Sequence, residues 1–123
     1  MTSLLPNTRR PDIIFHSSGR IDISAHIAKQ LNIRSGDVID IMADRGEYYL
    51  YVRTRAAIGR HEAQCFVTNN RAKHCHSLRA YSTRLCRAIL ALTGSNTKAS
   101  LPCGTPGEQS FGTAIPVITK NKL

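Results

Sequence analysis

The chain has 123 residues, 41% apolar and 6% aromatic with no tryptophan, which is the size and composition of one ordinary domain. No apolar run approaches the roughly 20 residues that a bilayer helix needs, so no membrane span is expected, and so few rings argue against a base-stacking platform built from several aromatics. Seventeen Lys and Arg against eight Asp and Glu leave a formal charge of +9, an excess that favours a polyanionic partner, nucleic acid before an anionic membrane surface.

Residues 1–11 are polar, are punctuated by Pro6 and Pro11 and carry Arg9 and Arg10 after the apolar pair Leu4-Leu5. They read as a flexible arm and not as a secretory signal, which needs a longer apolar region behind its charges. Residues 12–123 read as a single compact domain. Ile13-Ile14-Phe15 has the β-branched and aromatic character of a strand and runs into the turn cluster Ser17-Ser18-Gly19. Arg20-Ile21-Asp22-Ile23 alternates as a half-buried strand does. Ser24 can cap a short helix over 25–31, which Asn32 to Asp37 breaks. Val38 to Met42 and Tyr48 to Arg53 form a hairpin about Asp44-Arg45-Gly46-Glu47.

Past Arg53 the charge shifts. Residues 63–123 hold eight of the cations and only one acid, Glu108. The domain is therefore a strand-rich half, 12–53, and a basic α+β half, 54–123. Residues 54–60 read as a connector and 62–68 as a strand closed by Asn69-Asn70. Ser77 is expected to cap a longer helix that ends at Gly94, with Leu78, Tyr81, Leu85, Ala88, Ile89 and Leu92 as its apolar stripe. That helix would set Arg79, Thr83 and Arg87 in line on its polar side, with Arg84 beside them. A turn-rich segment with a brief strand near Ala99-Ser100-Leu101 follows, then a last strand, 113–119, whose Pro116 argues for an edge. The expected fold is α+β, a small barrel-like and mostly antiparallel sheet with one short and one longer helix packed on it.

Gly19-Arg20-Ile21-Asp22-Ile23, a short helix ending at Leu31, and Gly36-Asp37-Val38 leading into a strand make one continuous pattern. It resembles the module of AbrB-type swapped-hairpin transcription regulators, the group that includes MazE-like antitoxins and SpoVT-like proteins. The resemblance covers about 12–53. It departs at Ser24, where the family usually carries proline, and in the appended basic half. It implies an interlocked homodimer that binds double-stranded DNA, with Arg20, Lys29, Arg34 and Arg45 as the matching cations.

The residues themselves add a second basic group. Arg71, Lys73, Arg79, Arg84 and Arg87 follow one another with no acid between them, and several cations on one face are what phosphate neutralisation requires. Cys65, His74, Cys75, His76 and Cys86 lack the tight ligand pairs of a zinc site, so no metal or other cofactor is expected. The four cysteines in a chain without export features point to a reduced, cytoplasmic protein. Gly104-Thr105-Pro106-Gly107-Glu108 has no lysine after it to serve as a phosphate loop, and no nucleophile elbow or carboxylate pair stands out, so enzymatic activity is not expected. The expected function is nucleic-acid binding, DNA first, in a transcriptional regulator. A protein–protein interaction module without direct DNA binding, antitoxin-like or an accessory subunit, is the alternative.

Overall fold

A computed structural model describes residues 11–53, 63–67, 77–110 and 112–119. The expected arm lies outside the described residues but for Pro11, and so does the connector at 54–60.

The elements run β1 (Ile13–His16), β2 (Arg20–Ile23), α1 (Ala25–Gln30), β3 (Val38–Asp44), β4 (Glu47–Arg53), β5 (Phe66–Val67), β6 (Leu78–Tyr81), α2 (Thr83–Thr93), β7 (Lys98–Leu101), β8 (Gly107–Gln109) and β9 (Gly112–Val117). All strand pairs are antiparallel. One sheet has the order β5-β6-β2-β1-β7 and the other β3-β4-β9-β8, so each takes strands from both halves of the chain. The architecture is α+β.

Period-two alternation fixes the faces. Ile13, Phe15, Ile21, Ile23, Leu78, Ala80, Ala99 and Leu101 turn inward from the five-stranded sheet. Ile39, Leu50 and Ile115 are buried in the second sheet and join the same core, with Ile27 and Ala28 of α1 and Cys86, Ile89 and Leu90 of α2. Two isolated bridges, Val38 to Gln64 and Cys103 to Val117, stitch the sheets together, one beside β5 and the other just past β7, the two edge strands of the five-stranded sheet. The ladders do not merge, and no closed barrel forms among the described residues.

Ser24 caps α1 as expected, its Oγ accepting from Ile27 N at 3.3 Å. The β3–β4 turn also falls where the sequence puts it: Arg45 and Gly46 both have positive φ, 51° and 79°, the geometry of a two-residue type I′ hairpin.

The second helix is corrected. Leu78 to Tyr81 is a strand, not the first turn of a helix, because it pairs residue for residue with β2: Ile23 with Leu78, Asp22 with Arg79, Ile21 with Ala80 and Arg20 with Tyr81. The cap is Ser82 rather than Ser77, with its Oγ accepting from Leu85 N at 3.1 Å. The buried stripe of α2 turns accordingly to Cys86, Ile89 and Leu90, with Leu85 half-buried and Ala88 and Leu92 exposed. Gly94 at φ 64° ends the helix, and Ser95 N donates to Leu90 O at 2.9 Å in a Schellman closure.

Gly19 sits at the junction of the two halves. Its carbonyl accepts from Ser82 N at 2.8 Å, its φ is 98°, and a Cβ there would stand 3.0 Å from Thr83 Oγ1. Both the backbone and the close approach of α2 require glycine.

Two further expectations change. The turn-rich segment contains an additional strand, β8, which forms a hairpin with β9. Pro116 is not on an edge strand, since β9 lies between β4 and β8. The β8 ladder ends at Ala114, and Pro116 O faces Gly104 N at 2.8 Å. In a strand N and O of one residue point the same way, so the proline nitrogen also faces this side, and β4 loses no donor.

Candidate nucleic-acid interface

The outward face of the five-stranded sheet carries two cross-strand rows. Ser100, Ile14, Asp22, Arg79 and Phe66 are successive register partners across it. In the neighbouring row on the same face, Lys98 pairs with His16, and Arg20 with Tyr81. Three permanent cations from three strands, Arg20, Arg79 and Lys98, thus share a face on which, among the described residues of these two rows, Asp22 is the one carboxylate.

Asp22 organises the face. Its Oδ1 accepts from Arg79 Nε at 2.9 Å, and its Oδ2 lies 2.9 Å from His16 Nε2 and 3.2 Å from Arg20 Nε. Arg20 Nη2 is 3.3 Å from the same His16 nitrogen. Partial burial acts to raise the Asp22 carboxyl, but the hydrogen bonds from Arg79 and His16 and the charges of both arginines outweigh it and hold Asp22 below its ordinary value. The hydrogen bond to Asp22 raises Arg79 in turn. A guanidinium has five N–H donors, so one bond to Asp22 fixes its orientation and leaves donors for a further anion.

Of the nine cations expected to bind nucleic acid, Arg20 and Arg79 meet at Asp22, and Arg79 does so from a strand instead of the expected helix. Arg84 and Arg87 are on α2 and exposed. Arg84 lines a pocket of about 130 Å³ with Arg53, Asp40 and Ser82, and Asp22 is not among the residues that line it. Lys29 is exposed in the last turn of α1. Arg34 is exposed in the turn before β3, which Asp37 Oδ2 closes by accepting from Arg34 N at 2.8 Å. Arg45 is at the exposed tip of the β3–β4 hairpin. Arg71 and Lys73 lie outside the described residues.

The sequence reading missed His16, Lys98, Phe66 and Tyr81 as members of this face. Phe66 and Tyr81 are 42% and 50% exposed, and their rings stack at 5.9 Å between centroids with 19° between planes. The signal was present: Leu78-Arg79-Ala80-Tyr81 alternates at period two, which puts Arg79 and Tyr81 together on the side away from the core.

His61, His74, Cys75 and His76 also lie outside the described residues. Cys65 and Cys86 are buried, and burial, helped by the Asp37 charge, pushes the Cys65 thiol up to about 12. Among the described residues no group of three or more His, Cys, Asp or Glu could hold a metal ion.

The chain matches no protein-family model, no curated protein and no solved structure.

Proposed function

We propose that this protein binds nucleic acid, DNA in the first instance, through the outward face of the five-stranded sheet, and that it acts as a homodimeric transcriptional regulator. The observation that carries the reading is the Asp22 cluster, in which one carboxylate holds the guanidinium groups of Arg20 and Arg79 on a common face. Preoriented arginines suit phosphate oxygens, and Lys98 adds a third cation within the same two rows. The chain's charge of +9 supplies long-range attraction to a polyanion. The homodimer rests on the resemblance of residues 12–53 to the swapped-hairpin regulators, and on β3, an edge strand whose Met42 is exposed.

The test is fluorescence anisotropy with labelled mixed-sequence DNA, duplex and single-stranded, over a salt series. Binding should weaken steeply with salt. Replacing Arg20 and Arg79 together by Ala should lower affinity for all sequences alike and make the log K against log salt slope shallower by about one to two units. Failure of the unmodified protein to bind either form at low salt overturns the reading. Light scattering at micromolar concentration checks the dimer, and a monomer mass removes that part.

A further inference from the structure

We infer that the stacked pair Phe66 and Tyr81 is a docking platform for unpaired bases, so that the ligand preferred by this face is a single-stranded nucleic acid. The inference rests on the nucleic-acid reading above and names which form of the polymer the face takes.

Its basis is the register. Phe66 on β5 is the direct partner of Arg79, and Tyr81 on β6 the direct partner of Arg20. Each row therefore sets one ring beside one guanidinium. Along a strand the rows are two residues apart, about 6.6–6.8 Å. An unstacked strand presents the same alternation of flat base and charged phosphate, and its backbone is free to adjust its step to that spacing. A duplex keeps its bases stacked inside and offers the rings nothing to stack on.

The rings are also available. A centroid separation of 5.9 Å is wider than direct face-to-face contact, and close to half of each side chain remains in water. A cross-strand aromatic pair gains some stability from its own contact, but that gain does not call for exposure on a basic face. Stacking tolerates any base, because every base has a π-face, and the arginines take the phosphates without reading sequence. Two rings suffice for a two-base platform. The low aromatic content, which argues against a platform of several rings, does not bear on one of this size.

The experiment compares oligodeoxythymidylate, a backbone of the same length without bases, and a duplex, each labelled and titrated with the full chain at one low salt concentration. Single-stranded oligomer should bind more tightly than the other two. Phe66→Leu with Tyr81→Leu keeps apolar bulk without the π-face. It should lower affinity for the single strand by roughly ten- to a hundred-fold while changing duplex affinity by no more than about twofold. Phe66→Tyr, which keeps a ring, should retain binding. Because the chain has no tryptophan, Phe66→Trp adds a single reporter whose fluorescence should be quenched by the oligomer and not by the base-free backbone. Equal affinity for all three probes, with both aromatic-to-leucine changes silent, overturns the platform and leaves the nucleic-acid reading standing. No binding to any probe overturns both.

Discussion

Asp12 offers a sharp test of how the two sheets are held together. It is 6% exposed, and its Oδ2 accepts from Cys103 N at 2.7 Å, across 91 positions of sequence. Its backbone is engaged as well: Asp12 N donates to Leu101 O at 3.1 Å, and Asp12 O accepts from Ser24 N at 3.0 Å. The residue thus ties the start of β1 to the cap of α1 and to the segment leaving β7. That segment is where the chain crosses between sheets, since Cys103 bridges Val117 and Gly104 N donates to Pro116 O. Asp12→Ala removes the acceptor and leaves the Cys103 amide buried without it. Hydrogen bonds to a charged group contribute about 1.5–3 kcal/mol, and this one is buried, so a loss of about 2–3 kcal/mol is expected. At an unfolding entropy of about 2.1 cal/mol/K per residue, 123 residues give roughly 0.26 kcal/mol/K, and the Tm should fall by about 8–12 °C. Asp12→Asn keeps an acceptor oxygen in the same volume and should cost about half as much. Thermal unfolding followed by circular dichroism reads both variants. An Asp12→Ala Tm within about 2 °C of the unmodified protein would refute the role of this bond.

Two other predictions address the corrected helix and the charged cluster. Ser82→Ala should cost about 1 kcal/mol by removing the cap of α2, whereas Ser77→Ala, before β6, removes no cap; urea unfolding that gives the larger loss to Ser77 would restore the longer helix. Asp22 titrates below its ordinary 3.8 in the folded chain, so its stabilising contribution is fully present above that value and is lost as pH falls through the lower folded value; urea midpoints measured between about pH 6 and pH 2 should show a shallower acid loss for Asp22→Asn than for the unmodified protein.

Residues 12–53 were legible because every local signal agrees there. Gly19, the capping Ser24, Gly36-Asp37 and the Asp44–Glu47 turn punctuate short strands rich in β-branched and aromatic residues, of which 20–23 also alternates, and the elements fall where these signals place them. The second half was harder because two periods compete over 78–93. Leu78, Tyr81, Leu85 and Ile89 fit a helical stripe, and two serines five residues apart can each cap a helix. What decides for a strand at 78–81 is not local: β2 supplies its ladder partners from 55 to 61 positions earlier, Ile23 for Leu78 through Arg20 for Tyr81, and this pairing is invisible until both segments are placed. β8 was hidden for a related reason, since Gly107-Glu108-Gln109 is exposed throughout and has no apolar alternation to give it away.

The candidate site depends on the same long-range pairing. On a helix, Arg79 would have stood in line with Arg87, and phosphate contact would have been a property of one helix face. On a strand it meets Asp22 and Arg20 from β2, with Phe66 of β5 as its neighbour on the other side. Charge totals and aromatic content count side chains without placing them. A sheet can concentrate a few of them by register alone, because residues far apart in sequence become direct neighbours at a spacing of about 5 Å. That is why a chain with 6% aromatic residues can still set two rings and two arginines in adjacent rows, and why the cations that matter most for this reading come from β2 and β6, not from the basic helix.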